Sequence, residues 1–226
     1  MPQFRPVADH ALLVDFADTL SDAAHDAVLH LDATLTAHPC PGVTEAIPAF
    51  VSLLVDFDPL QTDHARVEAH LRRLLNQPET TRKTQGLQQA LVCYDDDLAP
   101  DLAPDLAEVA RQSGMTPEAV INAHLAGNYT VAMYGFAPGY AYLGGVPAQI
   151  QLPRKPAPVR GVAAGSVIIA GAQCLVTTLT MPTGWWIIGR SPTRILTADP
   201  THPFLFDVGD RVQFRRITRA EFEAAP

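Results

Sequence analysis

The stretch "NYTVAMYGFAPGYAYLGG" (Asn128–Gly145) marks a change in the character of the chain. Before it, apolar residues recur at helical spacing. After Gly127, short β-like runs alternate with Gly and Pro to the end. These runs are "NYTVAMY", "GSVIIAG", "CLVTTLT", "WWIIGR" and "GDRVQF". The second half therefore reads as a mainly β sandwich or barrel. Its last twelve residues, Tyr134–Gly145, hold four glycines, one proline and four aromatics. So much ring surface on so permissive a backbone suits a loop that presents something.

Working back toward the N-terminus, "ALLVDF" (Ala11–Phe16) reads as a strand. Ala24, Ala27, Val28, Leu31 and Leu35 then form a helical stripe with Ser21 as N-cap, stopped by the prolines of "HPCPG". "GVTEAI" and "AFVSLLVDF" read as strands. Thr62 is expected to cap a second helix with Val67, Leu71, Leu74 and Leu75 on one face, and "LQQALVCY" as a closing strand. The order β-α-β-β-α-β predicts a ferredoxin-like split βαβ domain over residues 1–94, a topology that carries no function by itself. The acidic, proline-containing "DDDLAPDLAP" (Asp95–Pro104) is the expected boundary, with the second domain over residues 95–226. Two short helices are expected near 104–112 and 117–125, the latter opened by Thr116-Pro117.

Composition narrows the function. The chain has 226 residues, 47% hydrophobic and 18% charged, so each domain has material for a core. Its formal charge of −8 disfavours a nucleic-acid partner. Cys40, Cys93 and Cys174 are odd in number and far apart, as buried free thiols in a reducing compartment would be. No basic head with a long apolar run opens the chain, and no apolar run reaches the roughly 18 residues of a membrane span. The expectation is a soluble cytoplasmic protein with no membrane contact.

Common catalytic signatures are missing. "GVAAGS" (Gly161–Ser166) lacks the lysine of a phosphate loop, and Ser166 has no GxSxG around it. The eight histidines form no HxH or HExxH pair, so no metal site is expected. Cys174 is a nucleophile only if a histidine lies beside it; a buried strand cysteine is the plainer reading. What remains is a constellation of "YGFAPGYAYLGG", "LPRKPAPVRG" and "MPTGWWIIGRSP". Arg154, Lys155, Arg160 and Arg190 offer cations in an acidic chain, and arginine suits planar carboxylates. Two readings stand side by side. One is a cleft for a small anionic or amide-bearing molecule. The other has Phe136, Trp185 and Trp186 in the core and the arginines on the surface.

At these residues the chain resembles the family of 5-oxoprolinase B subunits, which includes the Kip inhibitor of a sporulation histidine kinase and allophanate hydrolase subunit 1. It is also similar to part of the carboxyltransferase region of urea carboxylases. The resemblance implies a small α+β domain followed by a cyclophilin-like β-barrel, an α+β architecture overall. It implies a larger C-type subunit with a matching barrel, and an A-type subunit, which together use ATP to open 5-oxo-L-proline to L-glutamate. A biotin-dependent urea-type carboxyltransferase component and a non-enzymatic kinase inhibitor are the alternatives. Carried onto this sequence, His124 and Arg154 become catalytic candidates. Phe136, Pro138, Gly139, Tyr142, Ser166, Trp185 and Arg190 become substrate-binding candidates, and Tyr140 and Arg160, which the resemblance does not supply, join them as an aromatic and a cation of the same loops. The sequence departs from the family pattern at Val159, Ala163, Thr177-Thr178 and Thr183. If the chain docks on a partner, Tyr140, Tyr142 or Trp186 are the expected anchors.

Overall fold

The computed structural model describes residues 2–77, 86–94 and 102–225. The chain forms two compact units, Met1–Gln85 and Gly86–Pro226. Most of the expected boundary loop, residues 95–101, lies outside the described residues.

The first unit contains β1 (Gln3–Val7), β2 (Ala11–Asp15), α1 (Asp22–Ala37), β3 (Val43–Pro48), β4 (Ser52–Phe57) and α2 (His64–Leu74). Strand β4 buries Leu53, Val55 and Phe57 and turns the residues between them outward, the alternation its sequence predicts. The α1 stripe packs as expected, and Ser21 Oγ accepts from the Ala24 amide at 3.3 Å. For α2 the cap is Asp63, whose Oδ1 accepts from the Arg66 amide at 2.9 Å. Thr62 belongs to the preceding turn, its amide bonded to Asp58 O.

The expected ferredoxin-like arrangement holds for β2-α1-β3-β4-α2 but not for its closing strand. The sheet is antiparallel in the order β1-β2-β4-β3. The edge beside β2 is taken by β1, and the segment expected to close the sheet, Leu87–Val92 (β5), pairs elsewhere. The physical reason is proximity. β1 and β2 are joined by three residues, so their hairpin closes at small entropic cost. The mostly exposed β1, with Pro6 within it, suits an edge.

The second unit adds α3 (Leu106–Ser113), α4 (Pro117–Leu125), β6 (Tyr129–Tyr134), β7 (Ala141–Gly144), β8 (Val159–Val162), β9 (Ser166–Ala170), β10 (Gln173–Val176), β11 (Met181–Thr183), β12 (Trp186–Arg190), β13 (Arg211–Arg216) and α5 (Arg219–Ala224). Its main sheet has seven strands in the order β12-β9-β10-β7-β6-β13-β5. β5 runs parallel to β13, from Leu87 opposite Arg211 to Val92 opposite Arg216. Just past β5, Cys93 exchanges backbone hydrogen bonds of 2.7 and 2.8 Å with Arg190 at the end of β12. The two edges of the sheet thus meet, and it is nearly a closed barrel. A two-stranded ribbon, β8 with β11, stands apart.

All seven strands contribute to one apolar cluster, which is therefore the inner face. It includes Tyr129, Leu143, Ile169, Cys174, Trp186, Ile188 and Phe214, and residues of α3 and α4 join it. The outer face of β9, β10 and β12 carries a second cluster with Ile168, Leu175 and Ile187, joined by Tyr140, Trp185 and by Val162 of the ribbon. With apolar contacts on both faces, β9 reads as the unbroken run "SVIIA", buried at every position. Among the described residues, no helix is long and apolar enough to cross a membrane.

Candidate functional site

The loop between β6 and β7, residues 135–140, is held by its own backbone. Ala137 N bonds to Gly135 O at 2.8 Å and Tyr140 N to Ala137 O at 3.1 Å. Thr178 Oγ1 donates to Pro138 O at 2.6 Å from outside the loop. Gly139 has φ +75, and a Cβ there would stand 2.9 Å from side-chain atoms of Leu196 and Thr178. Phe136 also takes the left-handed conformation, at φ +68, where a bulky side chain costs roughly 1–3 kcal/mol. Its side chain is 74% exposed. A strained, exposed aromatic on a pinned loop marks a surface that presents the ring.

Beneath that loop the outer face is aromatic. Tyr140 and Trp185 are buried, and the ring of Phe136 lies 5.7 Å from that of Tyr140. Tyr142 meets Trp185 edge-on at 5.9 Å. Arg154 is exposed, with Cζ 5.6 Å from the centre of the Trp185 ring, a cation–π contact. Burial raises the Tyr142 phenol above its ordinary pKa, and the Arg154 charge partly opposes the rise. The residues flanking Arg154 are fixed. Trp186 Nε1 donates to Pro153 O at 2.8 Å and Lys155 N to Gly184 O at 2.7 Å. Lys155 forms a largely buried ion pair with Asp105, which also accepts from the Ile187 amide at 2.7 Å. Lys155 is therefore committed to the fold, whereas Arg154 faces solvent. Arg160, on β8, is exposed too.

The structure separates two of the expected anchors from the surface. Trp186 is 8% exposed and belongs to the inner core, and Tyr140 is 4% exposed. Phe136 is the exposed aromatic of this region.

A cavity of about 270 Å³ adjoins the loop, lined in part by Gly165, Thr177, Thr178, Ser191, Thr193 and Arg194. Gly165 has φ +83, and a Cβ there would meet Ser191 O at 2.5 Å. Ser166 sits buried behind this wall. Its hydroxyl donates to Ala163 O at 2.8 Å, and its amide donates to Thr177 Oγ1 at 2.9 Å. Arg190 brings Nε to within 3.5 Å of the position a Gly165 Cβ would occupy. Pro138 and Gly139 reach the cavity through their contacts with Thr178 and Leu196.

Of the residues singled out from sequence, Phe136, Tyr140, Tyr142, Trp185 and Arg154 come together on the outer face. Pro138, Gly139, Ser166 and Arg190 do not line the cavity but neighbour residues that do. Thr178, Thr193 and Arg194 were not singled out as binding residues. Their signal was the Thr177-Thr178 departure from the family pattern and the "SPTR" run after β12.

His124 goes elsewhere. A catalytic candidate by resemblance and, by its place near a helix C-terminus, equally a dipole partner, it is fully buried at the end of α4. Its Nδ1 lies 2.6 Å from Tyr94 Oη and its Nε2 3.5 Å from Cys174 Sγ. Its carbonyl accepts from Tyr129 Oη at 2.9 Å. The thiol and imidazole are adjacent, yet burial pushes the Cys174 thiol well above its ordinary pKa and holds His124 down at about 3. Both are neutral, so the pair is a hydrogen-bonded core contact rather than an activated nucleophile.

Residues 2–206 match the family described as carboxyltransferase domain, subdomain C and D. The chain is 34% identical to the B subunit of 5-oxoprolinase from Bacillus subtilis, covering 98% of this chain and 95% of that protein. The crystal structure of TTHA0988 superposes with a TM-score of 0.80 at 32% identity, over 92% of this chain and 40% of that one. This chain thus spans less than half of that protein's length. The K. lactis urea amidolyase structure superposes with a TM-score of 0.78 at 16% identity, over 98% of this chain and 15% of that one, a likeness of fold.

Proposed function

The chain belongs to the carboxyltransferase-domain family of subdomains C and D, and we propose that it is the B-type subunit of a 5-oxoprolinase. It works with a larger C-type subunit, which holds a matching cyclophilin-like domain, and with an A-type subunit. The assembly opens 5-oxo-L-proline to L-glutamate at the expense of ATP. The observation that carries this reading is the 34% identity to a 5-oxoprolinase B subunit along nearly the full length of both chains.

The geometry supports a subunit that binds and positions. Its exposed Phe136 offers a rigid aromatic anchor to a partner, of the kind that dominates interfaces. Arg154, clamped between Pro153 and Lys155, meets an anionic group of that partner or its substrate. The cavity behind the loop takes the small molecule, since small ligands need a concave wall. ATP is held by the assembly through the other subunits. His124 and Cys174 serve the core.

Co-expression with C- and A-type subunits from the same genome tests this. ATP hydrolysis by the purified assembly should depend on 5-oxo-L-proline and be lost when this chain is omitted. Hydrolysis indifferent to 5-oxo-L-proline, with biotin-dependent carboxyl transfer to a urea-type substrate instead, would replace the reading with the carboxyltransferase one.

A further inference from the structure

We propose that the cavity beside the loop is a carboxylate-binding site, with Arg194, Ser191 and Thr193 as its donors. The inference rests on the proposed function only for which carboxylate is bound.

Charge is the first ground. Among the residues lining the cavity, Arg194 is the charged one and no acid is present, in a chain of net charge −8. Donor accounting is the second. Thr177 Oγ1 donates to Ala163 O and Thr178 Oγ1 to Pro138 O, so both hydroxyl protons are used. Ser191 Oγ and Thr193 Oγ1 differ. Ser191 Oγ accepts from the Thr193 amide at 3.1 Å, and Thr193 Oγ1 accepts from the Leu91 amide at 2.9 Å. Each hydroxyl is thereby oriented and keeps its proton to give. Two hydroxyl protons and a guanidinium among the residues that line one cavity suit a group that only accepts, and a carboxylate is such a group.

Shape is the third ground. Pro192 fixes the turn that carries Ser191, Thr193 and Arg194. Gly165 lets the opposite wall approach, its carbonyl accepting from the Ser191 amide at 2.7 Å. Ile195 and Leu196 supply an apolar side for the body of the ligand. At about 270 Å³ the cavity is small, at the lower edge of the roughly 300–1,000 Å³ typical of ligand pockets. The ligand class is therefore a small carboxylate with a compact ring or aliphatic body.

Calorimetric titration of the full chain tests this with 5-oxo-L-proline, with L-glutamate and benzoate, and with 2-pyrrolidinone, which keeps the lactam but lacks the carboxylate. A carboxylate should bind, and 2-pyrrolidinone should bind at least about tenfold more weakly. Arg194→Met should weaken carboxylate binding by about tenfold to a hundredfold, the usual effect of deleting a charged hydrogen-bond partner. Arg194 is exposed, so tryptophan fluorescence should report an unchanged fold, and Arg194→Lys should fall between the two. Binding of benzoate or L-glutamate but not 5-oxo-L-proline would keep the carboxylate site and count against the oxoproline reading. No binding by any carboxylate, or equal binding by wild type and Arg194→Met, would overturn the site and leave the 5-oxoprolinase reading to its own assay.

Discussion

The two faces of the seven-stranded sheet carry their chemistry in opposite ways. The inner face holds the pairing whose residue types are the more suggestive of reaction, a histidine beside a cysteine. There, with no water to stabilise charge, both groups stay neutral. The outer face and the adjoining cavity hold residues of less suggestive type, a phenylalanine, two arginines, a serine and a threonine. These are exposed, strained, or left with protons to donate. Reactive residue types mean little until their solvation is known, and an unspent donor in a cavity says more than a histidine in a core.

The largest expected contrast is in stability. Leu143→Ala, on the inner face, should cost the second unit about 2–5 kcal/mol, the range for emptying a packed core site. Phe136→Ser should stay within about 0.5 kcal/mol, as exposed substitutions usually do. Both tryptophans lie in the second unit, so urea unfolding followed by tryptophan fluorescence reads both variants. Equal destabilisation would erase the distinction between the faces.

Next in size is an acid limb on stability. His124 has a folded pKa of about 3, below its unfolded value of 6.5. As pH falls through 6.5 the unfolded chain takes up a proton that the folded chain refuses, so stability declines toward pH 3. The slope approaches at most about 1.4 kcal/mol per pH unit. Unfolding measured from pH 7 to pH 5, above most carboxylate titrations, should show the decline, and His124→Gln should flatten it. A pH-independent wild type would mean that water reaches the ring.

Smaller effects belong to the outer face. Within the assembled complex, Phe136→Ser should weaken association by at least about 1 kcal/mol, read as a shift in the concentration at which the chains co-elute. If association is unchanged, the anchor lies elsewhere. Smallest of all, Phe136→Asn should leave the stability of the isolated chain level or slightly raised, because asparagine tolerates the left-handed backbone. A clear loss would show that the ring packs on the fold.

Much of this architecture was legible in the chain. The alternation in β4, the α1 stripe with its Ser21 cap and the β-like runs after Gly127 became the elements they predicted. Strand partnership was harder. The segment 87–92 has a strand's composition whichever sheet it joins, and β1 is so polar and proline-bearing that it gave little sign of taking the edge. The site divided along the same line. Residue types flagged Arg154, Phe136 and the glycines, because loops that present groups need such chemistry. Burial was not legible. His124, Tyr140 and Trp186 look like surface chemistry in one dimension, and only packing shows them enclosed. Ser191, Thr193 and Arg194 were missed because what distinguishes them is a set of unspent hydrogen bonds.

The division between the faces is tested most directly by steady-state, 5-oxo-L-proline-dependent ATP hydrolysis in the reconstituted assembly, comparing His124→Gln with Arg154→Met below their melting temperatures. The inner-face variant should keep near-wild-type turnover while unfolding more readily. The outer-face variant should lose about tenfold to a hundredfold in kcat/KM, as expected for a charged contact removed, with its unfolding unchanged. Turnover abolished in His124→Gln at intact stability, with Arg154→Met fully active, would contradict the assignment.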